Sequence, residues 1–326
     1  MKAGQDGGPL KSQAAELRRA LLQWYDGNRR DLPWRRSRDP YHIWISEIML
    51  QQTRVAAVLD HYRIFLERFP TIEKLAAARE ASVLAAWSGL GYYRRARMMH
   101  AAAKKVMREF AGALPSDSAS LRQLPGIGRY TAAAVASIAH GEPVAAVDGN
   151  VQRVLTRVTG SRLAGEQTWT HAQSLIHPER PGDFNQAMME LGAMVCLPRQ
   201  PLCLTCPLAW CCQTRGELPS LKKKDPQQKK EVHLVLDCHD EAVRLVQRPK
   251  HASLMPGMWE LPEIPANDTR VWRTFRHSIT VTDYLVRVVR NKKWTRAQGQ
   301  RIATDRLANL PLTGLTRKIL RAADII

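Results

Sequence analysis

Cys196, Cys203, Cys206 and Cys212 stand at C-x6-C-x2-C-x5-C, and four thiolates so close in sequence can each give one sulfur to an iron of a [4Fe-4S] cube. A zinc ribbon usually pairs two C-x2-C knuckles across a long spacer, whereas this chain has one knuckle and two flanking cysteines; zinc and plain reduced thiols stay open as rival readings. Cys211 is an alternative last ligand, and Cys238 reads as a packed thiol. A disulfide framework is set aside, because 326 residues can bury a core without staples. Leu124-Pro125-Gly126-Ile127-Gly128-Arg129-Tyr130-Thr131-Ala132 places a glycine-rich turn before a helix. Its glycines let backbone approach a phosphate closely, and the free N–H groups at the helix start attract an anion, although two glycines in four residues also serve as a plain helix connection. Asp148, just ahead of another helix, reads by itself as an N-cap, and Glu47 as an ordinary helix residue.

The elements that must position these residues are mostly helical up to about Arg215. Asp39 before Pro40 is an N-cap followed by proline at the first helical position, and Trp44, Ile48 and Leu50 recur at helical spacing. A second helix is expected from Thr53, with Val55, Val58, Leu59, Tyr62, Phe65 and Leu66 as its apolar face and Phe69-Pro70 as its end. Further helices are expected over 72–87, 93–110, 118–123, 129–140, 150–159 and 184–195. Residues 216–231 have linker composition. Beyond them Val232–Leu236, a polar turn at His239–Glu241 and Ala242–Val246 predict a hairpin, Ile279 to Val289 alternates in the same way, and Leu315 to Ala323 closes as a helix. The expected fold class is multidomain: a mainly α domain over 1–215, with a hairpin at 118–140 and a cluster loop at 196–212, then a smaller α+β domain over 232–326.

Forty-nine Lys plus Arg against thirty Asp plus Glu leave a net charge of +19, which favours a polyanionic partner. Nucleic acid is the first candidate, though charge alone does not separate DNA from RNA or an acidic membrane. No apolar run reaches membrane-spanning length and the first residues lack a signal-peptide core, so a soluble, intracellular, cytoplasmic and nucleoid-associated monomer is expected.

The order of hairpin, Asp148 and four-cysteine loop resembles the helix-hairpin-helix DNA glycosylase superfamily with an iron-sulfur cluster. Leu32-Pro33-Trp34-Arg35, Trp44-Ile45-Ser46-Glu47-Ile48-Met49-Leu50-Gln51-Gln52-Thr53 and Gly89-Leu90-Gly91-Tyr92-Tyr93-Arg94-Arg95-Ala96 narrow the resemblance to the MutY adenine DNA glycosylases, over nearly the whole chain. Hydrolysis of an N-glycosidic bond needs a proton for the leaving base and a negative charge beside an oxocarbenium-like sugar. The resemblance implies that Glu47 protonates adenine N7 and that Asp148 stabilises or briefly captures C1′, with Tyr130 and Asn150 orienting the carboxylates and the water. An apolar surrounding is expected to raise the Glu47 pKa, and the helix start to keep Asp148 ionised. Tyr130 stands where the endonuclease III branch has a lysine able to form a Schiff base, so a monofunctional enzyme is implied.

By the same resemblance, Gln52 and Tyr92 match residues that fill the gap left by the flipped base, Trp34 and Arg35 match the adenine-pocket segment, and Gly126 and Gly128 belong to the DNA-binding hairpin. Gln247-Arg248-Pro249 and Gly257-Met258-Trp259-Glu260-Leu261-Pro262 resemble the Nudix-like domain that recognises 8-oxoguanine. The glutamate-rich metal-binding helix of true Nudix hydrolases is missing, so binding without hydrolysis is implied. The family's 8-oxoguanine loop carries Phe-Ser-His where this chain has Phe275-Arg276-His277, a departure that puts selectivity in doubt unless Arg276 supplies a donor. The implied partner is double-stranded DNA with adenine opposite 8-oxoguanine or guanine, and the implied cofactor a [4Fe-4S] cluster. The alternatives are an endonuclease III-like glycosylase/lyase on damaged pyrimidines, a redox protein and a non-catalytic iron-sulfur DNA-binding protein. A redox protein has no use for Glu47 with Asp148 or for the hairpin, and a non-catalytic DNA-binding protein is separated from an enzyme by whether bound duplex is ever cleaved at the base.

Overall fold

The computed structural model describes residues 13–218, 228–266, 270–279, 281–291 and 298–326. Helices α1 (Ala14–Asn28), α2 (Pro40–Leu50), α3 (Val55–Arg68), α4 (Ile72–Ala77), α5 (Glu80–Ala86) and α6 (Arg94–Glu109) are followed by α7 (Ser118–Leu121), α8 (Arg129–His140), α9 (Gly149–Thr159), α10 (Glu166–Leu175) and α11 (Pro181–Met194). Then come strands β1 (Gln228–His239), β2 (Ala242–Gln247), β3 (Trp259–Glu260), β4 (Val271–Ile279), β5 (Thr282–Asn291) and β6 (Gln300–Ala303), and helix α12 (Gly314–Ala322). Two compact units result: Met1–Tyr62 with Thr71–Glu73 and Ala102–Leu221, and Arg63–Pro70 with Lys74–Ala101 and Lys222–Ile326. Residues 74–101, read from the sequence as part of the helical domain, thus fall in the second unit. None of the described helices is long and apolar enough to cross a membrane.

In the first unit, Asp39 caps α2 by accepting from the Tyr41 N–H at 2.8 Å, with Pro40 in the first turn where no donor is needed. α2 has almost no polar face: Ile43, Trp44, Ile45, Ile48 and Met49 are buried, and Ser46 and Glu47 with them. A helix apolar all round must be enclosed, and α8 packs on it through a buried run of small residues, Ala132–Ala136. α11 in turn packs on α1, α8 and α9. Several helix boundaries differ from expectation. α3 starts at Val55, and the single helix expected over 72–87 is two, because Arg79 adopts an extended backbone and caps α5. α1 and α10 were not expected, although Leu17, Leu21, Leu22 and Tyr25 of α1 bury one helical face.

The second unit is built on a sheet in the order β3-β2-β1-β5-β4, with β6 on β2. β1 and β2 form the expected hairpin, pairing Cys238 with Val243, and its two-residue turn holds Asp240 and Glu241 at φ 49° and 52°, the twist that tight hairpins require. β1 begins at Gln228, inside the stretch read as linker, of which 219–227 lie outside the described residues. β1 and β5 pair in parallel, so the sheet is mixed. The connection between α5 and α6 contributes to this unit: Ser88 Oγ donates to the Leu312 carbonyl at 2.7 Å and the Tyr93 hydroxyl to the same oxygen at 3.2 Å.

One expectation is corrected here. Phe275, Arg276 and His277, read as a loop, lie inside β4, opposite Val286, Leu285 and Tyr284 of β5. The cause is alternation: Phe275 points into the core and is buried, while Arg276 is exposed. β4 is an edge strand.

Candidate active site

Glu47 lies on the enclosed α2 and is only 6% exposed. The turn at Gly126 directs Tyr130 toward it. Gly126 has φ 78°, a left-handed conformation that L side chains resist, and α8 then starts with Gly128 as N-cap. The Tyr130 hydroxyl donates to Glu47 Oε2 at 2.7 Å and lies 3.1 Å from Met189 Sδ. Burial pushes the Glu47 carboxyl up; the Tyr130 hydrogen bond and Arg35 pull it down and the Asp148 charge pushes it up again, to a value of about 7. Burial, with Glu47 next, holds the Tyr130 phenol far above its ordinary range. A carboxyl that keeps its proton near neutrality, with one oxygen already occupied by a donor, can deliver that proton from the other. Gly128 needs no special backbone, and a Cβ there would meet nothing within 4 Å, so the approach to the first amides of α8 is open.

Asp148 is the N-cap of α9. It accepts from the Val151 N–H at 2.7 Å and from Asn150 Nδ2 at 2.9 Å. Asn150 is itself fixed, accepting from Arg153 Nη2 at 2.7 Å, and Arg153 also donates to the carbonyls of Gly192 and Cys196. Gly192 of α11 must be small, because a Cβ would come within 2.6 Å of the Asn150 Cβ. The structure therefore brings Tyr130 to Glu47 and Asn150 to Asp148, each pair held by one short hydrogen bond.

Arg35 is half-buried and committed to Glu190, a residue the sequence reading missed. Glu190 is 1% exposed on α11 and accepts from Arg35 Nη1 and Nη2 at 2.9 and 2.8 Å, and from Arg30 Nε and Nη2 at 2.8 and 2.6 Å. Burial opposes its ionisation, yet the two guanidiniums overcome this and hold the carboxyl down at about 2. A glutamate set among the apolar residues of 187–194 was the available signal. Trp34 is buried edge-on to Tyr62, with ring centroids 5.3 Å apart.

Gln52 and Tyr92 are both exposed and both held at positive φ, 55° and 46°. Strain of this kind in non-glycine residues recurs at functional sites. Beside Tyr92, the Arg95 guanidinium stacks between two rings, 5.6 Å from that of Tyr92 and 5.3 Å from that of Trp87. In the second unit, Arg276 and the partly buried His277 lie on β4, and Lys318 donates to the Arg276 carbonyl at 3.1 Å.

Cys196, Cys203, Cys206 and Cys212 line one cavity, walled by apolar Val154, Val158, Leu191 and Leu208. Arg157 Nη1 reaches Cys196 Sγ at 3.2 Å, and Cys212 Sγ donates to the Arg157 carbonyl at 3.3 Å. Cys211 faces the other way, buried in the helical core, and Cys238 packs against the core of the second unit. Four soft sulfur donors with no carboxylate or imidazole among them suit iron-sulfur chemistry. Among the described residues, however, no three His, Cys, Asp or Glu side chains are grouped as a metal would hold them.

Comparison with known proteins gives a consistent picture. The family described as "HhH-GPD superfamily base excision DNA repair protein" matches residues 45–178. An adenine DNA glycosylase of Homo sapiens is 48% identical over 219 residues, covering 63% of this chain and 40% of the relative. One of Arabidopsis thaliana is 37% identical over 322 residues, 83% of this chain and 51% of the relative. The chain thus spans about half or less of the length of these relatives. The solved structure of a thermostable thymine-DNA glycosylase, 30% identical with a TM-score of 0.60, is covered over 97% of its length by 63% of this chain.

Proposed function

Because the chain belongs to the HhH-GPD superfamily of base excision DNA repair proteins, we propose that it is a monofunctional adenine DNA glycosylase that removes adenine opposite 8-oxoguanine or guanine from duplex DNA. The observation that carries this reading is the Glu47 carboxyl, buried, bonded by Tyr130 and poised at about 7. With its Oε2 engaged, Glu47 hands its proton to the leaving adenine, at N7. Asp148, fixed by Val151 and Asn150, then faces the positive charge that grows on the sugar as the glycosidic bond breaks, and water adds at C1′ while its proton returns to the Glu47 carboxylate. Tyr130 offers no amine, so no Schiff base forms and the product is an abasic site. The open amides of α8 at the Gly126 turn seat a backbone phosphate, Gln52 fills the vacated stack, and Trp34 and Arg35 border the base pocket. The relatives' names support adenine as the substrate. The second unit serves as the Nudix-like reader of the opposite base, through Phe275, Arg276 and His277 on an edge strand.

A single-turnover reaction on duplexes with adenine opposite 8-oxoguanine, guanine or cytosine tests the reading. Release from the first two and none from cytosine is expected, without strand nicking; no release from any duplex overturns it.

Cys196, Cys203, Cys206 and Cys212 would hold a [4Fe-4S] cluster, which when bound supplies a rigid, charged anchor for this loop. Cys203→Ser is expected to lose the broad visible absorption and most of the bound iron, whereas Cys211→Ser keeps both, since Cys211 points into the core. Iron retained by Cys203→Ser and lost by Cys211→Ser would reverse the assignment.

A further inference from the structure

The first unit also holds a partly open polar chamber of about 200 Å³ between the end of α1, the segment that follows it with Arg35 on the wall, the C-terminus of α8 and the start of α11. A bound water occupies about 30 Å³ of liquid volume, so the space exceeds a single water. Three kinds of donor face it. Tyr25 is fully buried, its hydroxyl senses the charges of Arg35, Asp183 and Arg29, and no hydrogen-bond partner meets it among the described residues. The first turn of α11 has no side-chain cap: Pro181 carries no N–H, and the amides of Gly182 and Asp183 have no acceptor among the described residues. Gly182 is pressed against α8, where a Cβ would come within 2.6 Å of the Ser137 carbonyl, so no side chain can fill this corner. Arg29 and Arg38 bring two guanidiniums that form no salt bridge among the described residues, while Arg180 is committed to Asp26 and Asp183. Glu179 is the one acid on the wall without a salt bridge of its own, and the two arginines outnumber it.

A buried hydroxyl, two orphan amides at a positive helix end and two guanidiniums outside any described salt bridge, that of Arg29 over the Tyr25 ring, suit the same ligand, an acceptor with several oxygens. We infer that this chamber binds a phosphate-class oxyanion, held by the Tyr25 hydroxyl, the Gly182 and Asp183 amides and the side chains of Arg29 and Arg38. The inference does not rest on the glycosylase reading. Free inorganic phosphate and a backbone phosphate of a nucleic acid share this chemistry, and they are separable.

The test is thermal unfolding of the full chain in rising inorganic phosphate against chloride at equal ionic strength, with Tyr25→Phe, Arg29→Gln and Arg38→Gln beside the wild type. Tyr25→Phe keeps the ring and its packing, so it guards against a variant that merely fails to fold. The wild type is expected to gain a saturable rise in melting temperature with phosphate, and each variant to need about tenfold more phosphate for the same rise, the effect of one lost charge-assisted bond. If a strand phosphate is the natural occupant, phosphate also competes with duplex and the variants bind duplex more weakly; if free phosphate is, duplex affinity is unchanged. No rise beyond chloride in the wild type, or equal rises in all four proteins, overturns the inference.

Discussion

Glu47→Gln is expected to slow single-turnover adenine release about a thousandfold while leaving duplex affinity nearly unchanged, because an amide cannot donate the proton and the phosphates are bound elsewhere. The pH profile gives the same group a second test. Burial, against the Tyr130 bond, raises the Glu47 carboxyl to about 7, so the protonated acid is fully present below that value and falls tenfold for each unit above it. The release rate is expected to bend downward near pH 7. Since the Tyr130 hydroxyl pulls this value down, Tyr130→Phe should move the bend to higher pH rather than abolish it. A Glu47→Gln enzyme within tenfold of wild type, or a bend that stays put in Tyr130→Phe, would remove Glu47 from the proton's path.

The other large effect is on stability. Glu190→Gln leaves the guanidiniums of Arg30 and Arg35 beside a buried neutral amide, and breaking a buried pair from one side costs about 3 kcal/mol, the low end of its range because Arg30 stays partly exposed. The sign with pH follows from the depressed carboxyl. Its contribution is fully present above the ordinary value of 4.5 and is lost as pH falls toward the folded value of about 2. Urea unfolding of both proteins across this range should therefore show midpoints well apart at pH 7 that converge in acid. A constant separation would mean that the loss is one of packing, not of charge.

Chemistry carried by a short stretch of chain was legible before any fold was known. Asp39 and Pro40 start α2, the Gly126 turn precedes α8, Asp148 caps α9 and the His239–Glu241 turn joins β1 to β2, because caps and turns are decided within a few residues. The four cysteine positions could be grouped for the same reason, and the Glu47 segment stood out by its resemblance to the adenine DNA glycosylases, since Glu47 alone reads as an ordinary helix residue.

Other features exist only once distant segments are packed. Which of Cys211 and Cys212 faces the shared cavity depends on how that loop lies against α9 and α11, and spacing could not choose between neighbours. Phe275–His277 looked like a loop by likeness to a motif, yet pairing with β5 and burial of the Phe275 ring drew it into a strand, since ladder hydrogen bonds are set by the partner strand as much as by local preference. Glu190 meets Arg30 and Arg35 across more than 150 residues of chain. By itself, then, the sequence determined the candidate reactive groups and the local turns that present them. The tertiary structure alone decided the proton affinity of Glu47 and the partners of Arg35, because both come from desolvation and from charges that only the folded chain brings within a few ångströms.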